Sequence, residues 1–209
     1  MRKALSCVLM MTLLLSGCKA GGAGESPEER ALAVRDLYQS LAGWSATVDI
    51  TAEIGEKVFD FTLDAAWRRE GETVLTITAP ELLAGITARI AEGETVLEYD
   101  GAGVSLGLLD DSGLTPVSAV AGLMAQIEKG YMANCAWVGD SGELLRVSFR
   151  DPEAGPNTGT EYLLDFDRES GALLRAEASV EGRTVLTAQF RNFTMEEAQN
   201  DTGDGEDLG

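Results

Sequence analysis

The chain has 209 residues, 16 Lys and Arg against 35 Asp and Glu, a net charge of −19, and no histidine. So acidic a surface excludes nucleic acid as a partner, repels anionic headgroups and favours basic partners. The missing histidine removes Ser-His and Cys-His nucleophiles, the zinc-protease helix and the commonest general base, while 44% apolar residues suffice for one domain with a core.

The chain opens on Met1-Arg2-Lys3, a short cationic stretch, followed by an apolar run from Ala4 to Leu15. That run is well short of the about 20 residues a membrane-crossing helix needs, and with the small residues Ser16 and Gly17 after it the segment 1–17 reads as a secretory leader. Leu15-Ser16-Gly17-Cys18 resembles the lipobox of bacterial lipoproteins, which implies cleavage between Gly17 and Cys18 and a lipidated Cys18 as the new first residue. Two acyl chains on one residue make a stable membrane attachment, so the expected location is extracytoplasmic, tethered to the cell membrane. Without Arg2 and Lys3 the balance is 14 against 35, or −21. Cys135 is then the one remaining thiol; it sits in the apolar stretch Asn134-Cys135-Ala136-Trp137-Val138 and reads as a small buried hydrophobe.

Residues 18–25 form a Gly-rich tether. Ser26-Pro27-Glu28-Glu29 has the N-cap, first-position Pro and capping-box Glu of a helix start, and Val34, Leu37, Tyr38 and Leu41 continue it at amphipathic spacing to a stop near Gly43. From Trp44 the period becomes two. Trp44 to Ile54 and Phe59 to Trp67 form a long hairpin, with Phe59, Phe61, Leu63, Ala65 and Trp67 on one face. Further strands are predicted at 73–78, 86–91, 95–99 and 104–109, then a helix from about Val117 to Met132 that presents Val120, Leu123, Met124 and Ile127. Strands follow at 135–138, 143–150, 160–166, 172–180 and 183–191, before an acidic segment, 194–209, read as a disordered tail. The predicted fold class is α+β: a strongly curved antiparallel sheet of about eleven strands, an open half-barrel, with an N-terminal helix and a central lid helix over residues 26–193.

Two segments imitate functional motifs. Gly139-Asp140-Ser141-Gly142 has the look of a serine nucleophile segment, but without a histidine it reads as a hairpin turn. Asp165, Asp167 and Glu169 imitate the start of a calcium loop, yet its glycine comes one place late, at Gly171, and Ala176 stands where a bidentate Glu belongs. No catalytic residue, metal site or cofactor is therefore assigned, and an enzyme is not the expected class.

Thr78-Ala79-Pro80-Glu81-Leu82-Leu83-Ala84-Gly85-Ile86, Tyr162 to Asp167, Ser170 to Glu177 and Gln189-Phe190-Arg191-Asn192-Phe193 carry, in this order of elements, a resemblance to the LolA/LolB-like lipoprotein carrier and receptor superfamily. The resemblance implies a half-barrel closed by helices whose concavity holds lipoprotein acyl chains. Receptor members are themselves lipidated, so Cys18 points away from a soluble shuttle. Arg68-Arg69-Glu70 lacks the proline of the carriers' Arg-Pro latch. Lipidated relatives in endospore formers bind and support a cell-wall amidase in germination, so two expectations stand side by side. In one, Phe59, Phe61, Leu63, Trp67, Leu75, Ile77, Val120, Leu123, Met124 and Ile127 line an apolar cavity for an acyl chain or lipoprotein; in the other, they pack a core and the protein docks an envelope partner such as a wall hydrolase.

Overall fold

The computed structural model describes residues 25–92, 94–108, 116–155 and 157–198. The leader, Gly17, Cys18 and nearly all of the tether, like the last residues of the tail, lie outside them. The first described element is α1 (Pro27–Ser40), and its capping box forms as the sequence predicts: the Glu29 N–H donates to Ser26 Oγ at 3.2 Å and the Ser26 N–H donates to Glu29 Oε2 at 3.0 Å. The helix ends at Ser40, one residue before the predicted Leu41, because Leu41 turns extended. Gly43 serves the next strand instead. A Cβ there would lie 2.8 Å from the carbonyl oxygen of Trp67, so only glycine lets the two strands approach.

Eleven strands follow: β1 (Leu41–Ile54), β2 (Lys57–Arg68), β3 (Thr73–Ala79), β4 (Thr87–Ala91), β5 (Glu94–Tyr99), β6 (Ala102–Leu108), β7 (Met132–Val138), β8 (Leu144–Arg150), β9 (Thr160–Asp167), β10 (Leu173–Val180) and β11 (Arg183–Glu197). They form one open antiparallel sheet in the order β6-β5-β4-β3-β2-β1-β11-β10-β9-β8-β7, so the first six and last five strands are two meanders joined along β1 and β11. The predicted half-barrel and strand count are thus observed. The domain runs past the predicted end at 193, since β11 extends to Glu197 and Leu41 pairs with Glu197; residues 194–197, expected in a disordered tail, are strand. Pairing with β1 holds this acidic stretch in place, helped by the Arg68–Glu196 ion pair at 2.9 Å.

The central helix, α2 (Pro116–Lys129), ends three residues before the predicted Met132. The Gly130 N–H donates to Gln126 O at 2.8 Å as the helix closes, and Met132 opens β7 opposite Phe149. The free carbonyls at this helix end are taken by α1: Arg35 Nε donates to Ile127 O at 2.9 Å, a second Arg35 nitrogen donates to Gly130 O, and Gln39 Nε2 donates to Glu128 O at 2.8 Å.

Both helices lie over the concave face. Ala31, Val34 and Tyr38 of α1 and Ala119, Val120, Leu123, Met124 and Ile127 of α2 share one core with Val48, Ile50, Leu145, Phe149, Leu164, Phe166, Leu173 and Leu186. Each such aliphatic side chain contributes roughly 1.5–3 kcal/mol by leaving water. An aromatic seam welds α1 to the junction of the meanders: Trp44 stacks on Phe193 at 5.8 Å, Tyr38 meets Phe166 edge-on at 6.0 Å, and the Tyr38 hydroxyl accepts from the Leu173 N–H at 3.0 Å. Burial pushes the Tyr38 phenol well above its ordinary pKa. Phe190 and Phe193 both contribute to this seam although they are three residues apart, which simple alternation forbids. A bulge resolves it: the register with β1 slips between Ser45 and Thr47, and Asn192 sits at φ 54°.

Candidate functional site

The concave face divides into two parts. Over β7 to β11 and β1 it is filled by the helices. Over β2 to β5 it leaves an apolar slot lined by Phe61, Leu63, Leu75, Ile77, Ile86, Ala88 and Leu97. Strand register assembles this wall: Leu63 faces Ile77, Leu75 faces Ala88, and Ala88 faces Leu97. The slot is narrow, and its apolar lining offers a water no hydrogen-bonding side chain. No charged side chain is among its lining residues.

Of the ten side chains predicted to line a cavity, the slot brings together four: Phe61, Leu63, Leu75 and Ile77. Phe59 stands at the rim, 38% exposed, with its ring stacked on Phe61 at 6.4 Å. It lies beyond the end of β3, whose last residue, Ala79, pairs with Thr62, so it has no cross-strand cover on that side. Trp67 sits at the other end of β2, half-buried against the core with the Arg69 guanidinium 5.8 Å from its ring. Val120, Leu123, Met124 and Ile127 are buried in the core and not among the lining residues. The helix end is held against α1 by Arg35 and Gln39, on the other side of the concavity. Ile86, Ala88 and Leu97 were missed, although alternation within the two short strands and their pairing to Leu75 would have placed them. Beyond the slot's wall, Thr95 is fully buried opposite Ile90, and its Oγ1 has no hydrogen-bond partner.

Polar chemistry lies on the convex face and in the turns. Asp49 accepts from Arg191 and from Thr62, each at 2.8 Å, and the Arg191 hydrogen bond does most to hold its carboxyl below the ordinary range. Asp165, from the calcium-like segment, is buried and gives both oxygens to Arg146, at 2.6 and 2.7 Å. Asp167 accepts from the Ser170 hydroxyl and N–H, which lower its pKa, and these bonds make the β9–β10 turn. Ser141 donates its hydroxyl to Glu143 Oε2 at 2.9 Å within the predicted β7–β8 turn. Hydrogen bonds depress the Glu143 pKa, which makes it a poor base for that serine. Cys135 is half-buried on β7, and burial pushes its thiol pKa up, against thiolate chemistry. Among the described residues no group of three or more Cys, Asp or Glu could hold a metal, and no helix is long and apolar enough to cross a membrane.

No protein-family model matches the sequence, and no curated protein matches it. Solved structures do. An uncharacterised conserved protein of Thermus thermophilus superposes with a TM-score of 0.50 at 12% identity, over 83% of this chain and 90% of that one. A LolA-superfamily protein of Nitrosomonas europaea gives 0.43 at 13%, over 83% and 95%. A chain of the Clostridioides difficile complex of the CwlD amidase with the GerS lipoprotein gives 0.47 at 11%, over 83% and 98%. At these identities the likeness is one of fold, and the chain is an open, helix-lined half-barrel.

Proposed function

We propose that this is a lipid-anchored, extracytoplasmic binding protein without catalytic activity, tethered through Cys18, whose slot between β2 and β5 takes an acyl chain or the lipidated end of another protein. The observation that carries the reading is a narrow slot in the concavity walled by seven apolar residues, with Phe59 exposed at its rim. An acyl chain gains about 0.8 kcal/mol for each methylene moved into such surroundings and needs no specific polar contact. The narrow slot admits a chain only as its half-exposed walls, Phe61 and Ile77, move apart. A second reading, docking of an envelope partner such as a wall hydrolase, draws on the burial of Val120, Leu123, Met124 and Ile127, which leaves α2 no free apolar face for a ligand.

One labelling experiment on the full chain tests anchor and slot together. Cells are fed a palmitate analogue that carries a photoactivatable group and an alkyne. Label present before irradiation is expected on Cys18 and absent from Cys18→Ala. Label gained on irradiation is expected on peptides of β2, β3 and β5 and reduced at least fivefold by Ile77→Trp, which fills the slot. Dark label that survives Cys18→Ala rejects the anchor. Light-dependent label that is scattered, or indifferent to Ile77→Trp, rejects the slot and leaves the docking reading.

A further inference from the structure

The two edges of the sheet are not alike. β7 is shielded: α1 packs along it, and the Arg168 guanidinium lies 4.1 Å from the Trp137 ring. β6, Ala102-Gly103-Val104-Ser105-Leu106-Gly107-Leu108, has no charged residue and no proline, the usual guards of an open edge. Val104 is 61% and Leu106 51% exposed. No strand lies beyond β6 among the described residues.

The turn into β6 fixes which backbone groups are free. Asp100 and Gly101 have φ of 49° and 78°, the paired positive values of a two-residue hairpin turn. Such a turn makes Tyr99 and Ala102 a hydrogen-bonded pair; alternation then gives the next such pair to Leu97 and Val104. Gly103 and Ser105 therefore aim their N–H and C=O groups away from β5, toward a position that no strand occupies among the described residues.

The surroundings say what fits there. On the convex side of β4 and β5, Glu72, Glu92, Glu94 and Glu98 surround one cation, Arg89, which already bonds Glu72 and Glu98. Four carboxylates against one guanidinium leave a strong negative excess. Gly103 and Ser105 stand between this patch and the edge, and both are small. An added strand would lie about 10 Å from β5, two strand spacings, and a Lys or Arg crossing over Gly103 or Ser105 spans that gap to meet a Glu. On the concave side Val104, paired with Leu97, offers an apolar neighbour.

We propose that β6 is a strand-addition edge for an extended segment of another protein in which apolar residues alternate with Lys or Arg. The apolar residues pack on Val104, the cations face Glu94 and Glu98, and the free groups of Gly103 and Ser105 supply the backbone ladder. A second copy of this chain is the wrong partner, since edge pairing would bring two such acidic faces together in molecules of net charge −19. The edge lies outside the slot and stands whether or not the slot holds lipid.

The test uses the full chain in nonionic detergent and two ten-residue probes, one alternating Lys with Val and one alternating Glu with Val, with binding read by fluorescence anisotropy. The Lys peptide is expected to bind at least tenfold more tightly than the Glu peptide. Ser105→Pro removes an outward N–H without breaking a bond to β5, and is expected to abolish the binding while the Tm and the light-dependent palmitate label are retained. Glu94→Gln with Glu98→Gln is expected to weaken it at least fivefold. Equal binding of both peptides, or binding of the Lys peptide that is unchanged in Ser105→Pro, overturns the proposal. So does dimerisation of the free chain that Ser105→Pro abolishes, which would give the edge to a second copy.

Discussion

Thr95 Oγ1 is sealed in the concavity with nothing to bond, and an unpaired buried hydroxyl costs about 1–3 kcal/mol. Thr95→Val keeps the branched shape and removes that penalty. The expected outcome is a gain of about 1 kcal/mol, read as a higher urea midpoint with unchanged slope; a loss of stability would mean that the hydroxyl has a partner after all. Burial of this kind was illegible in the sequence, where Thr95 is one more polar residue in an alternating strand. Phe59 shows the converse. Period two assigned its face correctly, but exposure depends on where β3 ends, and no local pattern fixes the length of a neighbouring strand. Leu63 and Leu75 were legible because each lies in the middle of a strand with partners on both sides.

At the level of elements, local signals with a mechanism held up best. The Ser26, Pro27 and Glu29 signature placed the start of α1 to the residue because three side-chain preferences act on the same few backbone groups. Ser26→Ala removes the hydroxyl that accepts the Glu29 N–H and is expected to lower stability by about 1 kcal/mol, with faster amide exchange in the first turn of α1. An unchanged unfolding midpoint together with unchanged exchange would mean that the cap contributes nothing. Helix ends were harder to place. Gly43 looked like a stop signal but answers to the carbonyl of Trp67, a residue distant in sequence. The bulge at Asn192 that turns Phe193 inward was equally hidden, since it depends on the register with β1. For the same reason the sequence leaves open whether the apolar face of α2 lines a cavity or packs a core; Val120, Leu123, Met124 and Ile127 are buried in the core.

For the molecule as a whole, the missing histidine sets the response to pH. With none to titrate near neutrality, stability is expected to be flat between about pH 7 and pH 5. Asp49 and Asp167 both have pKa values lowered by folding, so their contribution is present above the unfolded carboxylate range, near pH 4, and is lost as pH falls through their lowered values. Thermal unfolding followed by circular dichroism should show a constant Tm down to about pH 5 and a fall below pH 4 that is shallower in Asp49→Asn. A decline already under way between pH 7 and pH 5, or none by pH 3, would contradict this assignment. The half-barrel was legible at this scale because eleven alternating segments and two amphipathic helices have few ways to bury their apolar faces. Which half of the concavity keeps a slot was not, since that depends on where the helices come to rest.

The junction between the meanders also bears on how the chain reaches this state. Within each meander every strand pairs with the one before it, so contacts close over short loops. The β1–β11 ladder joins Ala52 to Leu186 and Leu41 to Glu197, partners 134 and 156 positions apart. Closing loops of that length is the slow, entropically expensive event in a fold of this kind. Until it happens, the facing edges of β1 and β11 are unpaired and their apolar sides uncovered, the condition in which chains stick to one another. A chain leaving a ribosome or a translocation pore cannot complete its sheet until residue 197 has emerged, so the time before that moment is when it most depends on a chaperone.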